Sequence, residues 1–225
     1  MKTTPQDSAP PPPPPPQRPL GVYSDPDWKH QVESETKYES QRFDSSPKAR
    51  KRHLRDERLL REFLQTLPPG QLVLDAPSGQ GRFSEVIQQA GHKVLAMEIN
   101  FGRVHDAALR QGGTITGVQG NVLQVPCCDQ AFGAAVCFRL FHHLKPEIVR
   151  QVLKELRRVS ERALVTYYNQ HTWNYYRQRL EGKTPHRNFH SQATLREWCD
   201  EAGWKIDCSR PAWDFFNNLH ALWLR

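Results

Sequence analysis

The stretch Leu72-Val-Leu-Asp-Ala-Pro-Ser-Gly-Gln-Gly-Arg-Phe83 decides the fold of this 225-residue chain. A short apolar run ends in Asp75, a turn with Gly79 and Gly81 follows, and the residues after the turn can start a helix. Glycine lacks a Cβ and reaches positive φ at low cost, so such a turn lets the backbone approach a ligand closely. Open α/β sheets bind nucleotide-like cofactors on strand–turn–helix units of this kind, at the carboxyl ends of their strands. The stretch therefore predicts a cofactor site.

Segments typical of strands and helices alternate along the rest of the chain. The predicted strands are 72–75, 93–98, 114–118, 133–138, 163–168, 204–208 and 219–224. The predicted helices are 49–67, 83–90, 102–111, 148–159 after Pro146, and 192–202. This repeated order is typical of an α/β protein with a doubly wound, mainly parallel seven-stranded sheet. No helix separates the last two strands, so we expect an antiparallel hairpin at the sheet edge, with an antiparallel last strand.

Composition divides the chain into a tail, a connecting segment and one domain. Residues 1–27 include the unbroken run Pro10–Pro16, which predicts an extended, solvated tail. Residues 28–48 are polar with scattered aromatic side chains, a pattern that suggests a segment docking on a domain. Residues 49–225 are long enough for a single domain with its own core.

The charge and the cysteines limit the class of protein. The net charge is +7, and the basic excess is spread along the chain, which favours a solvated basic surface over a nucleic-acid groove. Five cysteines without a CxxC pair argue against a zinc site and favour reduced thiols. The amino terminus has no apolar signal region, and no apolar run approaches the roughly 20 residues of a membrane span. We therefore expect a cytoplasmic protein, as a monomer or homodimer, with no bound metal.

Several motifs resemble those of one family when they are taken in order. Asp75-Ala-Pro-Ser-Gly-Gln-Gly81 resembles motif I of class I S-adenosylmethionine-dependent methyltransferases, D-x-G-x-G-x-G, with Pro77 at its first glycine. Glu98 matches the acidic residue that takes the ribose hydroxyls there, and Gly120-Asn121 matches the Gly-Asp beside the adenine. Gln130-Ala-Phe132 and Arg139-Leu-Phe-His-His-Leu144 resemble a segment of the small-molecule and lipid-type enzymes. The resemblance covers about residues 49–225 and implies the Rossmann-like methyltransferase fold.

The resemblance also implies S-adenosylmethionine as the cofactor. Gly79 and Gly81 would let the backbone approach its amino acid end, and Glu98 would accept from the ribose diol. Asn121 would accept from the adenine amino group, and Val122 would offer a backbone donor. The complete set of predicted cofactor-binding residues is Asp75, Pro77, Gly79, Gly81, Glu98, Ile99, Asn121, Val122, Arg139 and Arg42. The resemblance and the position of residues 28–48 also imply an amino-terminal lid, from which Arg42 would reach the methionine carboxylate.

The acceptor side is predicted on the loops after the fourth and fifth strands. Those loops carry Arg139, His142, His143, Tyr167, Tyr168 and His171. His142 and His143 are candidate general bases because imidazole titrates near neutrality, and structural packing is the alternative. Arg139 would bind an anionic acceptor or pair with a carboxylate. In the family, an insertion equivalent to 167–190 often lines the acceptor pocket; its aromatic and cationic side chains would also suit a solvated cap or a nucleic acid.

The leading hypothesis is methyl transfer to a small-molecule or lipid-like acceptor. The cationic side chains of residues 167–190 would suit an acceptor that carries a negative group. One alternative is a methyltransferase for RNA or protein, although no N/D-P-P-Y motif follows the fourth strand. A second is an NAD-dependent oxidoreductase, although Ser84 stands where the dinucleotide fingerprint has its third glycine. A third is a cofactor-binding module without catalytic activity.

Overall fold

A seven-stranded sheet organises the residues that the computed structural model describes, which are 46–104, 115–182, 188–211 and 219–225. The strands are β1 Leu72–Asp75, β2 Lys93–Glu98, β3 Thr116–Gln119, β4 Ala134–Cys137, β5 Ala163–Tyr168, β6 Ile206–Pro211 and β7 Leu219–Leu224. Their order is β3-β2-β1-β4-β5-β7-β6. The first five strands pair in parallel, and β7 runs antiparallel to both β5 and β6. The predicted seven-stranded sheet with its antiparallel last strand is confirmed.

Five helices with determined bounds accompany the sheet: α1 Pro47–Leu64, α2 Arg82–Gln89, α3 Pro146–Val159, α4 Trp173–Leu180 and α5 Gln192–Glu201. Local chemistry fixes where they begin. The Ser46 hydroxyl accepts from the Ala49 N–H at the start of α1, and Pro47 occupies the first turn, where no N–H is needed. The Ser191 hydroxyl accepts from the Thr194 N–H at the start of α5 in the same way. A short 3-10 helix spans Phe141–His143.

The helices bury the two faces of the sheet. On one face, α1 and α2 pack Leu60, Phe63 and Ile87 against the sheet. On the other face, α3 and α5 pack Leu153 and Trp198. The central strands β1, β4 and β5 are therefore buried on both sides, which explains why they read as continuous apolar runs.

Some predicted boundaries differ from the structure. Strand β6 starts at Ile206 rather than at 204, because Trp204 enters the core and its indole N–H donates to the Leu153 carbonyl at 2.9 Å. The first helix ends at Leu64 rather than 67, ahead of Pro68, which disfavours helical backbone in the residue before it. Helix α4 was not predicted at all.

Other predictions fall partly or wholly outside the described residues. Only residues 102–104 of the predicted helix 102–111 are described, and they are helical. The predicted tail, Arg42 and most of the predicted lid also lie outside, while Pro47 and Lys48 begin α1. Within the described ranges, no helix is long and apolar enough to cross a membrane.

Candidate active site

The turn after β1 joins the carboxyl ends of β1 and β2. This glycine turn, residues 76–81, has Gly79 at φ 56° and Gly81 at φ 75°, values that favour glycine. The Ser78 N–H donates to the Met97 carbonyl of β2 at 2.9 Å, and the Gly81 N–H donates back to the Ser78 carbonyl at 3.0 Å. The peptide bond before Pro77 is cis. The turn therefore lies against the next strand of the sheet and presents backbone at its edge.

Glu98, the last residue of β2, accepts hydrogen bonds from the backbone around it. Its Oε2 accepts from the Gly79 N–H at 3.0 Å, and its Oε1 accepts from the N–H groups of Ile99 and Asn100 at 2.9 and 3.3 Å. A carboxylate offers about four acceptor positions, so these three bonds leave room for a further donor on Oε2. Glu98 thus fixes the glycine turn and still has acceptor capacity for a ligand hydroxyl.

Asp75 lies below the turn and is completely buried. The Ser84 hydroxyl donates to its Oδ2 at 2.6 Å, whereas Oδ1 has no hydrogen-bond partner among the residues that the structure describes. Desolvation by burial raises the pKa of Asp75 to about 7, against the lowering effects of the Ser84 hydrogen bond and the Arg82 charge. An unused acceptor on a buried carboxyl suits a ligand that brings a donor or a positive charge.

The loop after β3 holds Asn121, the residue predicted to meet the adenine. Its amide Oδ1 accepts from the Leu123 N–H at 2.9 Å, so this oxygen already shapes the loop. Two residues of α3 fix the same loop from below. The Glu155 carboxylate accepts from the Val125 N–H at 2.7 Å, and the Arg158 guanidinium donates to the Val125 carbonyl at 2.9 Å. This pair was not predicted from the sequence, where its only signal is a spacing of three on a helix.

Arg139, just after β4, pairs with a carboxylate of α1. Its Nε donates to Oδ2 of Asp56 at 2.9 Å, and Asp56 is completely buried. Arg139 has φ 56°, an uncommon backbone for a residue with a side chain, and its N–H donates to the Thr166 hydroxyl at 2.8 Å. Arg55 and Arg82 approach the same carboxylate at 3.6 and 3.9 Å. We call Asp56 and these three arginines the arginine cluster.

Sequence reasoning did not identify Asp56 as part of the site. The signal was present, because Asp56, Leu60 and Phe63 share one helical face and the other two are core residues. An acidic residue on a core-facing stripe needs a cationic partner, since an isolated buried charge is very costly.

The aromatic side chains of the acceptor side meet at the end of β5. The His142 ring is buried and stacks on the Tyr168 ring, with centroids 4.2 Å apart and an interplanar angle of 4°. The exposed His143 ring lies 4.0 Å from His142. Phe189 lies beside Tyr168, with centroids 5.7 Å apart, and Tyr175 lies beside Phe189, at 5.0 Å. We call this set of rings the aromatic group.

Tyr167 does not belong to the acceptor side as predicted. It points from β5 into the core and is completely buried, because successive side chains of a strand alternate between the two faces. The segment leaving the strand therefore begins at Asn169. It contains α4 and an open cleft of about 570 Å³, lined by Gln170, His171, Tyr175, Tyr176, Arg179 and Leu180.

The predicted cofactor residues fall into three groups. Gly79, Glu98 and Ile99 are joined by direct hydrogen bonds. Asp75, Pro77, Gly81, Asn121 and Val122 lie on the neighbouring strand ends and loops of the same sheet edge, with the Val122 side chain in the core. Arg139 lies at the end of β4 in the arginine cluster, and Arg42 is outside the described residues.

Comparisons with known proteins agree with this geometry. Residues 73–162 match the family profile described as a methyltransferase domain. Demethylmenaquinone methyltransferase of Thermobifida fusca (strain YX) is 35% identical over 96 residues, which are 41% of this chain and 40% of that protein. The chain therefore spans less than half the length of this curated relative.

Solved structures share the fold. Magnesium protoporphyrin IX methyltransferase from Synechocystis PCC 6803, solved with bound SAH, has a TM-score of 0.71 at 16% identity, covering 88% of this chain and 96% of that one. An S-adenosylmethionine-dependent methyltransferase from Aquifex aeolicus has a TM-score of 0.55 at 17% identity, covering 75% and 87%. Residues 73–162 thus match a methyltransferase domain, and the chain shares the fold of S-adenosylmethionine-dependent methyltransferases.

Proposed function

We propose that this methyltransferase acts on a small-molecule or lipid-like acceptor. The observation that carries the proposal is the aromatic group, which places His142, Tyr168, Phe189 and Tyr175 together beyond the ends of β4 and β5. Aromatic faces bind flat or apolar molecules through offset stacking and apolar contact. The match of residues 73–162 to a methyltransferase domain favours methyl transfer over the NAD-dependent oxidoreductase as an explanation of the glycine turn.

The residues at the carboxyl edge fit S-adenosylmethionine. Oδ1 of Asp75 has an unmet acceptor position, and Oε2 of Glu98 has capacity for a donor. A Cβ added to Gly79 would meet no atom within 4 Å, so the space beside the turn is open. When bound, the cofactor would supply a methyl group on a sulfonium, and transfer of that methyl group would release a neutral thioether, which is a good leaving group. We propose that Glu98 binds its ribose, that Asp75, Pro77, Gly79 and Gly81 surround its amino acid end, and that Ile99, Asn121 and Val122 surround its adenine.

His142 is buried and His143 is exposed, so we propose a different role for each. A base is needed only where the acceptor atom carries a proton, as a hydroxyl does. His142 is buried against Tyr168, and its carbonyl accepts from the Asn188 N–H at 2.9 Å, so we propose that it positions the aromatic group. His143 is exposed on the same 3-10 helix, and we propose it as the group that takes the proton.

The arginine cluster supports an acceptor that carries a negative charge. Three guanidinium groups lie within 4.0 Å of one carboxylate, so positive charge exceeds negative within these four residues. Arginine recognises carboxylates and phosphates through paired hydrogen bonds. We propose that Arg139 contacts an anionic group of the acceptor or, with Arg42, the carboxylate of the cofactor.

Transfer of a labelled methyl group tests the proposal. The purified protein is incubated with methyl-labelled S-adenosylmethionine and a cell extract, which is then separated into polar metabolites, lipids, protein and RNA. We expect label in the metabolite or lipid fraction, and much less there with the Glu98→Ala variant when the cofactor is below saturation. Label found only in protein or RNA would overturn the proposed acceptor class. With a purified hydroxyl acceptor, His143→Asn should lower kcat about 100-fold.

A further inference from the structure

We propose that α4 docks the protein on an anionic lipid surface. Trp173, Tyr176 and Leu180 are exposed by 51%, 49% and 84%. At 3.6 residues per turn, positions separated by three and four lie on one helix face. These side chains therefore form a continuous apolar stripe, which we call the α4 stripe. They are half of the large apolar residues that are exposed among those described.

Cationic side chains border the α4 stripe on both sides. Arg177 follows Tyr176 by one position and lies beside Trp173 on the helix surface, and Arg179 lies on the opposite border, beside Tyr176. Both arginines are exposed. Arg177 also approaches Glu181 at 3.7 Å, an exposed pair that salt screens. An apolar stripe between arginines is the arrangement of helices that lie in the headgroup region of anionic membranes.

The composition of the stripe favours lipid over a protein partner. Tryptophan and tyrosine are enriched where membranes meet water, because a ring can enter the apolar layer while its polar atom remains hydrated. A stable protein interface buries about 800 Å² on each side, which is far more than three partly exposed side chains provide. The net charge of +7 adds a general attraction to anionic headgroups.

The other face of α4 connects this surface to the acceptor side. Tyr175 points toward the domain, where its ring lies 5.0 Å from Phe189 of the aromatic group. The cleft next to α4 is lined by Tyr175 and Tyr176 and by Leu180 of the stripe. Docking through the stripe would therefore bring this cleft to the lipid surface. A lipid-like acceptor could then enter directly, a consequence that rests on the proposed function, whereas docking itself does not.

Vesicle co-sedimentation of the intact protein tests docking. One set of vesicles is phosphatidylcholine alone, and the other is phosphatidylcholine mixed three to one with phosphatidylglycerol. We expect binding to the mixed vesicles and about tenfold weaker binding for Trp173→Gln/Leu180→Gln. Arg177→Gln/Arg179→Gln should also lose about tenfold, since each cation near the surface contributes. Leu54→Gln is the matched control, because Leu54 is 57% exposed on α1 and also lies among arginines.

Three results would overturn the docking proposal. The first is absence of binding to the mixed vesicles. The second is a loss of vesicle binding with Leu54→Gln that equals the loss with Trp173→Gln/Leu180→Gln. The third is a wild-type protein that is a dimer, and a Trp173→Gln/Leu180→Gln variant that is a monomer. Each variant must retain wild-type affinity for S-adenosylhomocysteine, which shows that it is folded. If the protein transfers methyl groups but does not bind vesicles, the docking proposal is wrong and the proposed function still stands.

Discussion

The carboxyl ends of the parallel strands carry two regions, which we call the cofactor edge, at the ends of β1, β2 and β3, and the acceptor edge, at the ends of β4 and β5. At the cofactor edge, main-chain N–H groups are the donors, as when the Gly79 N–H donates to the Glu98 carboxylate and the Ser78 N–H donates to the Met97 carbonyl. At the acceptor edge, side chains make the contacts, as in the His142–Tyr168 stack and the Arg139–Asp56 ion pair. Main-chain geometry depends on few residue types and transfers across a family. Side-chain geometry can change with each substitution, so it is where differences in acceptor would be encoded.

The largest expected effect is at the acceptor edge. Asp56→Asn should lower the free energy of unfolding by about 3 kcal/mol, because the partly buried arginines lose their only carboxylate within the cluster. Glu62→Gln, which removes exposed ion pairs of α1, should cost less than about 1 kcal/mol. Urea denaturation measures both. If the difference between the edges is real, Asp56→Asn should also raise KM for the acceptor and leave affinity for S-adenosylhomocysteine within about threefold. A larger loss of cofactor affinity would place Arg139 at the cofactor edge.

The second effect is at the cofactor edge. Glu98→Ala should weaken S-adenosylhomocysteine binding about 100-fold, because hydrogen bonds to a charged group contribute about 1.5–3 kcal/mol each and the glycine turn loses its acceptor. Glu98→Gln retains one oxygen and should show an intermediate loss. Isothermal titration calorimetry gives the affinities. An Ala variant that binds like the wild type would show that the turn, rather than the carboxylate, determines cofactor binding.

The same difference explains which parts could be predicted from the sequence. Asp75 and Glu98 could be identified because each ends an apolar strand, and Gly79 because it lies in the turn that follows the first of these strands. The strand ends of a parallel sheet meet at one edge. The Arg139–Asp56 pair joins positions 83 residues apart, and no local pattern indicates which acid meets which base. A helix can be predicted from the sequence when its apolar residues recur on one face, because that face is usually buried.

Helix α4 shows the limit of that method most clearly. Its sequence, WNYYRQRL, carries apolar residues that the fold leaves exposed in the α4 stripe, so the usual inference from periodicity to core does not apply. The apolar face of α4 is exposed rather than buried, and this exposure is the observation on which the proposed lipid contact rests.

A pH experiment separates the carboxyl of Asp75 from the other ionisable groups. Its pKa is about 7 in the folded protein, against an ordinary value of 3.8 for an aspartate, so the folded state retains a proton that the unfolded state releases. This group therefore favours folding most below pH 3.8, and the contribution is lost as the pH rises to about 7, by at most about 1.4 kcal/mol per unit. Stability of the cofactor-free wild type relative to Asp75→Asn should fall between pH 5 and about 7. A constant difference would show that Asp75 is ionised throughout.

The smallest effect compares two glycines with the same backbone requirement. Gly79 and Gly91 both have positive φ, 56° and 83°, and a Cβ added to either would meet no atom within 4 Å. Alanine should therefore cost each about 1 kcal/mol of stability, or about 3 °C in Tm, through left-handed strain alone. Only Gly79 lies at the cofactor edge, so Gly79→Ala should also weaken S-adenosylhomocysteine binding about fivefold, because its methyl group enters the open space beside the turn. Gly91→Ala, at the end of α2, should bind normally. Equal affinities would mean that the cofactor does not approach the turn closely, and the contrast between a main-chain cofactor edge and a side-chain acceptor edge would lose its main support.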